Sequence, residues 1–258
     1  MAPKIAIVFY SMYGHIRQMA EAEKAGIEKA GGTADLYQLP ETLPQEVLDK
    51  MYAPAKPTDI PTLEDPTVLE AYDGILVGIP TRYGNFPAQW KTFWDKTGKQ
   101  WASGGFYGKY VGVFVSTAGL GGGQESTVIS AMSTFTHHGM IYVPLGYAKA
   151  FAQLTDLSEA KGGSPWGAGT FAGTDGSRQP SAKEKEIAMI QGEVFYQTVA
   201  KSVGGGAKNG VKKPEASRTT QPAAPTSAPA PATKKEEPKP VKEDKEGPCG
   251  LPSKCVIL

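Results

Sequence analysis

Three short stretches of the chain carry residue types that could do chemistry. The first, Ser11-Met12-Tyr13-Gly14-His15-Ile16, follows an apolar run and opens a segment of helical composition. The first turn of a helix presents N–H groups without partners and the positive end of the helix dipole, which together favour a phosphate. Ser11 adds a hydroxyl, and Gly14 lets the backbone come close. The sequence has neither G-x-x-x-x-G-K-[ST] nor G-x-G-x-x-G. A triphosphate cradle and a dinucleotide held in the Rossmann manner are therefore disfavoured, and a single phosphate monoester such as that of FMN fits better. The second stretch, Pro80-Thr81-Arg82-Tyr83-Gly84-Asn85-Phe86, offers backbone amides, a hydroxyl, a cation and an aromatic ring. Such groups suit the polar edge and one face of an isoalloxazine ring. The third, Ser116-Thr117-Ala118-Gly119-Leu120-Gly121-Gly122-Gly123-Gln124-Glu125, places four glycines in five positions. That composition carries a large entropic cost, explained most simply by close backbone approach to a ligand. Taken singly, each stretch also reads as an ordinary βα turn, a polar turn before an aromatic helix, or a flexible loop; their joint occurrence is the informative feature.

The surrounding pattern supplies elements to position them. Ile5–Tyr10 is a continuous β-branched and aromatic run, expected of a strand buried on both faces. Ala34–Leu39, Asp73–Ile79, Tyr110–Ser116 and Met140–Val143 read as four further strands. Ile16–Ala30, stopped by Gly31-Gly32, Phe86–Thr97 and Gln124–His137 read as helices between them. Ser181 caps a last helix to about Ser202, with Glu184 at the capping-box position. Strands alternating with helices imply a parallel sheet covered on both faces. Five of them fit a flavodoxin-like, doubly wound α/β fold of strand order 2-1-3-4-5, whose ligands sit beyond the carboxyl ends of the strands. Residues 40–72 and 145–180 exceed ordinary loop lengths and are expected to be functional or to hold small elements of their own.

Composition divides the 258 residues in two. Residues 201–258 carry eleven Lys/Arg and six Asp/Glu, net +5; of the chain totals of 27 and 26 this leaves 16 and 20 in residues 1–200, net −4. An overall charge of +1 argues against a nucleic-acid partner. The expected division is a flavodoxin-like domain over residues 1–203 and a disordered linker over 204–258, which has nine prolines from Pro214 to Pro252 and almost no large apolar residues. The two cysteines, Cys249 and Cys255, both fall in the last ten residues, so no disulfide is expected in the body, which fits a reducing compartment. Neither a secretory signal nor a transmembrane run is expected. His15, His137 and His138 are the only histidines and no carboxylate stands at ligand spacing, so no metal site is expected. Nothing in the sequence suggests a nucleophilic triad or an acid–base pair.

Together with Trp101-Ala102-Ser103-Gly104, His137-His138-Gly139, residues 162–168 (G-G-S-P-W-G-A) and residues 176–181 (G-S-R-Q-P-S), the three loops resemble the WrbA family, in order from about Lys4 to Ser202. The resemblance implies a flavodoxin-like fold, non-covalent FMN, a homotetramer, and reduction of quinones by NADH or NADPH. It implies that Ser11, Gly14, His15 and Ile16 hold the phosphate, and that Thr81, Arg82, Tyr83, Gly84 and Asn85 hold the ring. Ser116, Thr117, Ala118, Gly119, Gly121 and Gly122 would close over the far edge. Tyr13 and Trp101 would line the face used in turn by nicotinamide and quinone, and His137 would reach FMN from the following helix. The third loop is one residue longer than the commonest family form. His137-His138 also reads as a pair on a helix C-terminus, and Trp101 as a core or subunit-contact residue.

On this reading no side chain is a dedicated catalyst, and Arg82 is the electrostatic candidate, since a cation stabilises developing negative charge. Cys255-Val256-Ile257-Leu258 matches C-a-a-X with Leu favouring geranylgeranyl. One lipid chain binds only marginally, so a second signal is expected. Residues 233–258 hold six lysines and five acids, too balanced to supply it by charge, which points to palmitoylation of Cys249. The expected location is the cytoplasmic side of a membrane, the plasma membrane foremost, with a cytosolic pool. Two other functions remain open on sequence: a one-electron flavodoxin-type carrier, and a membrane-domain organiser with a vestigial fold.

Overall fold

Apolar residues alternate along β1 (Ile5–Phe9) in a way that commits the chain to two layers of helices. Ile5, Ile7 and Phe9 belong to one buried cluster, while Ala6 and Val8 belong to another. A strand wanted by two cores has no solvent face, which is the condition for a parallel sheet. The computed structural model describes residues 2–205 and bears this out. β1 lies between β2 (Ala34–Gln38) and β3 (Gly74–Pro80), followed by β4 (Tyr110–Thr117) and β5 (Ile141–Tyr142), all parallel, in the order β2-β1-β3-β4-β5. The flavodoxin-like arrangement expected from the sequence is the one observed.

The fifth position of the sheet differs from the single short strand expected. β5 pairs with Tyr110 and Val111 at the start of β4, and β6 (Gly169–Phe171) pairs with Val115, Ser116 and Thr117 at its end. Two short strands thus share the edge of β4, and the chain between them loops out. The second half lay hidden in the long 145–180 segment because Gly167, Ala168, Gly169 and Thr170 give no period-two apolar signal.

One face of the sheet carries α1 (His15–Lys29) and α7 (Ala182–Gly205), and the other carries α3 (Ala88–Asp95) and α5 (Gln124–His137). The single helix expected over 86–97 is shorter. It begins after Pro87, whose extended φ/ψ of −69°/163° makes it the N-cap, and a separate turn, α4 (Gly98–Ser103), follows. The two long loops hold α2 (Gln45–Lys50) and α6 (Phe151–Thr155). Helix α7 runs to Gly205, past the 203/204 boundary drawn from composition. The rest of the expected linker, with Cys249 and Cys255, lies outside the described residues. Among the described residues no helix is long and apolar enough to cross a membrane.

Helices α1 and α7 touch backbone to backbone. A Cβ on Gly192 would fall on the carbonyl of Glu23, whose carbon would lie 2.9 Å away. The Glu23 side chain is itself 0% exposed, and neither carboxyl oxygen has a hydrogen-bond partner among the described residues. Burial pushes its pKa well above the usual carboxylate range. The native state therefore holds a proton that the unfolded chain releases. Its contribution to stability is complete below the unfolded carboxylate pKa and is lost as pH rises toward the raised native value. Glu23→Gln removes the titration and keeps the shape. We expect it to raise Tm by several degrees at about pH 8 and to leave Tm unchanged at about pH 4, below the unfolded carboxylate value. Thermal scans of both proteins at the two pH values check this; a pH-independent difference would mean that the native carboxyl titrates as it does in the unfolded chain, and a variant less stable than the wild type at about pH 8 but not at about pH 4 would mean that it is ionised and paired.

Candidate functional site

At the carboxyl end of the sheet, β1 turns into α1 through Ser11–Gly14. Gly14 takes the left-handed conformation at φ 87° and forms the N-cap with no side-chain cap. Its N–H donates to Ser11 Oγ at 3.1 Å, and the Arg17 N–H donates to the same oxygen at 3.4 Å. The first helical backbone bond runs from Gln18 N–H to the Gly14 carbonyl, leaving the N–H groups of His15 and Ile16 without an acceptor among the described residues. Nothing lies within 4 Å of where a Cβ on Gly14 would stand. The turn is therefore a nest of donors at a helix N-terminus, the arrangement a phosphate needs.

The nest opens into a cavity of about 480 Å³, within the size range of small-molecule sites. Its walls come from Ser11, Met12, Tyr13, His15 and Ile16, from Pro80, Thr81 and Arg82, and from Ser116, Thr117, Ala118 and Gly122. The three loops singled out in the sequence thus converge on one space. Their tails do not all reach it. Tyr83 and Gly84, at φ 55° and 72°, form the two-residue turn of a small hairpin closed by Arg82 and Asn85, and they point past the cavity. Asn85 Oδ1 accepts from the Phe86 N–H at 2.7 Å, and the Gly84 carbonyl accepts from Ser130 Oγ on α5 at 3.1 Å. Beside them, the Thr81 hydroxyl accepts from Thr127 Oγ1 on α5 at 2.7 Å. Gly119 and Gly121 form the outer turn of the third loop, with the Gly119 carbonyl accepting from Gly122 N–H at 3.1 Å. A Cβ on Gly122 would lie 2.8 Å from that carbonyl, so a side chain there deforms the loop as well as filling the cavity.

Two expected site residues stand away from the cavity of their own chain. Gln124, the first residue of α5, adjoins the third loop, and His137 is its last, about 20 Å away at 1.5 Å per residue. His137 sits beside the opposite end of the sheet, where Ile141 pairs with Tyr110. Trp101 lies on α4, 63% exposed, outside the cavity lining.

One wall was missed by sequence reasoning. Ala172, Gly173, Thr174, Asp175 and Gly176 line the cavity beside the third loop. They extend β6, with the Ala172 and Gly173 N–H groups donating to the carbonyls of Thr117 and Ala118 at 2.8 and 2.9 Å. The turn chemistry of Gly173-Thr174-Asp175-Gly176-Ser177 was the available signal. Asp175 is the carboxylate of the lining. Its Oδ1 accepts from Ser177 N–H and Oγ at 3.0 and 2.9 Å, and these bonds lower its pKa and keep it ionised.

The long 40–72 loop steadies the cavity from behind. Tyr13 donates its hydroxyl to the Met51 carbonyl at 3.1 Å, and Tyr10 donates to Glu41 Oε2 at 2.7 Å. Burial and the bond to Glu41 push the Tyr10 phenol above its ordinary range. Burial pushes the Glu41 carboxyl up, but hydrogen bonds from Tyr10, Thr42, Gln89 and Leu43 outweigh it, and its pKa ends below the usual value. A neutral phenol and an ionised carboxylate therefore clamp this loop onto the end of β1.

The donor set suits FMN: N–H groups and a hydroxyl for a phosphate, a cavity of adequate size, and a cation, Arg82, on its lining. The model of the NADPH-dependent FMN reductase family matches residues 4–153, more than half of the chain. The chain belongs to that family. Its match spans the first and second loops, the glycine-rich loop and α5. Relatives include the minor allergen Alt a 7 of Alternaria alternata, 69% identical over 202 residues that cover 78% of this chain and 99% of that one. The NAD(P)H quinone oxidoreductase PST3 of Candida albicans is 62% identical over 201 residues, covering 78% of this chain and all of that one. A solved structure of a flavodoxin, WrbA-like protein from Agrobacterium tumefaciens superposes with a TM-score of 0.54 at 23% identity, covering 78% and 99% of the two chains, and shares the fold. These matches bear out the family read from the loops.

Proposed function

We propose that this FMN reductase family member is an FMN-dependent NAD(P)H:quinone oxidoreductase. The observation that carries the reading is the convergence of a donor nest at the α1 N-terminus with two further loops on one cavity at the carboxyl rim of the sheet. The names of relatives such as PST3 support the choice of quinone and NAD(P)H. FMN, when bound, supplies hydride acceptance from a nicotinamide and hydride delivery to a quinone. The chain binds and orients. The N–H groups of His15 and Ile16 and the Ser11 hydroxyl hold the phosphate. Thr81, Ala118 and Gly122 border the ring, and the Arg82 guanidinium stabilises negative charge as it develops. One open face next to Tyr13 serves both substrates in turn, which gives ping-pong kinetics.

The test is the purified full chain supplied with FMN. We expect flavin absorbance that is released on denaturation, and steady NADH- or NADPH-dependent reduction of benzoquinone with parallel double-reciprocal lines. A colourless protein without turnover would overturn the reading and favour the organiser; FMN binding without turnover would favour the one-electron carrier.

Two finer parts belong to the same proposal. Trp101 and His137, exposed and remote from their own chain's cavity, reach the cavity of a neighbouring copy in a homotetramer. Sedimentation of a monomer under turnover conditions would exclude this. Geranylgeranyl on Cys255 and palmitoyl on Cys249 hold the protein at the cytoplasmic side of a membrane with a cytosolic pool, a reading supported by the residues of the tail alone. Cys249→Ser is expected to move most of the protein to the soluble fraction on cell fractionation while Cys255 stays prenylated. Unchanged membrane retention of that variant would refute the second anchor.

A further inference from the structure

The Glu184 side chain is 0% exposed, yet it gathers donors from across the 160–181 region. Its Oε1 accepts from the N–H groups of Gly162 at 2.8 Å and Phe171 at 3.3 Å. Its Oε2 accepts from Thr170 Oγ1 at 2.8 Å, Arg178 Nη1 at 2.9 Å and the Ser181 N–H at 2.8 Å. A capping box explains the last of these and no other. The reciprocal bond, from Glu184 N–H to Ser181 Oγ at 3.2 Å, completes that box. Of the remaining donors, Thr170, Phe171 and Arg178 flank the 172–176 wall, and Gly162 belongs to the segment before β6.

Arg178 carries the effect onward. Its guanidinium also donates to the carbonyls of Phe171 at 2.7 Å and Ala160 at 3.1 Å, and its N–H closes the 172–178 loop by donating to the Ala172 carbonyl at 3.0 Å. The Arg178 carbonyl in turn lies 2.9 Å from His15 Nε2, which donates to it. His15 is the first residue of α1 and lines the cavity at the donor nest. A continuous path therefore runs from a buried carboxylate on α7, through one arginine, to the imidazole beside the nest and to the loop that faces it.

We infer that Glu184 is a positioning residue for the phosphate end of the cavity, fixing the 172–176 wall and the His15 imidazole through Arg178. The inference rests on the FMN reading above. Removing the carboxylate charge frees Arg178 and the loop base while α7 and the sheet stay in place. The loss then falls on the phosphate and spares the ring. Riboflavin, which has the ring and lacks the phosphate, separates the two effects.

The experiment titrates FMN and riboflavin into the full-length protein and into Glu184→Gln and Arg178→Lys, following flavin fluorescence, with circular dichroism as the check on folding. The wild type is expected to prefer FMN. Glu184→Gln should lower that preference by about tenfold, the size of effect a coupled hydrogen-bond network transmits, with riboflavin affinity unchanged. Arg178→Lys, which keeps the charge and loses the fork, should show a smaller loss of the same kind, and it decides the matter alone if Glu184→Gln does not fold. A wild type that binds neither compound overturns the FMN reading itself. A wild type that prefers FMN, with variants that keep the whole preference or lose both ligands equally, leaves that reading standing and overturns the role of Glu184.

Discussion

Ser11→Asp is expected to weaken FMN binding by about a hundredfold while riboflavin binding changes little. Ser11 Oγ accepts from the Gly14 and Arg17 N–H groups at the start of α1, and a carboxylate can accept both bonds, so the turn and the helix should survive. What changes is the charge beside the N–H groups of His15 and Ile16. Two unit charges about 4 Å apart repel by about 4 kcal/mol at an effective dielectric near 20. Solvent at the cavity mouth reduces this, and we take about 3 kcal/mol against a phosphate dianion, which is about two orders of magnitude in affinity. Fluorescence titration with both flavins checks the prediction. Equal losses for the two compounds would mean that the phosphate is held elsewhere. Ser11 is a cleaner probe than Gly122, where a side chain would strike the Gly119 carbonyl of its own loop.

Gly26→Ala should destabilise the domain by about 3 kcal/mol, although alanine is the better helix former by about 1 kcal/mol. The added methyl would fall on the carbonyl oxygen of Met189 in α7, with the carbonyl carbon 2.7 Å away. Those are backbone atoms, so no side-chain rotation relieves the clash and the two helices must part. At about 2–4 °C per kcal/mol for a domain of this size, Tm should fall by roughly 6–12 °C. A thermal melt decides between the two effects by its sign. A rise in Tm would mean that α1 and α7 are not in backbone contact. Because the donor nest is the first turn of α1, the variant should also bind FMN less tightly.

The contrast between these two sites reflects what a sequence can carry. The loop at Ser11–Ile16 was legible because a buried strand, a Gly and a helix start follow one another within a few residues, and local order fixes local geometry. The β-branched run at Ile5–Phe9 and the glycines after Thr117 were legible for the same reason, and with them the sheet order. The Gly26–Met189 contact was not, since two positions far apart in the chain meet only after folding. Glu184 was half legible: its capping box with Ser181 is local, but its bonds to Gly162, Thr170 and Arg178 depend on a loop whose path no periodicity announces. The wall at 172–176 was hidden for that reason. Tyr83, Gly84 and Asn85 were placed at the ring from their chemistry; in the fold they lie outside the cavity lining, in a small hairpin whose Gly84 carbonyl is bonded to Ser130 on α5. Residue type shows what a side chain can do, and only tertiary packing shows which way it faces.

The most direct measurement is a crystal structure of the protein grown with FMN. The phosphate is expected within hydrogen-bond distance of the His15 and Ile16 N–H groups and of Ser11 Oγ, with the ring between Thr81–Arg82 and Ala118–Gly122. An ordered FMN whose phosphate lies away from the α1 N-terminus, or a rim left empty at saturating FMN, would contradict it.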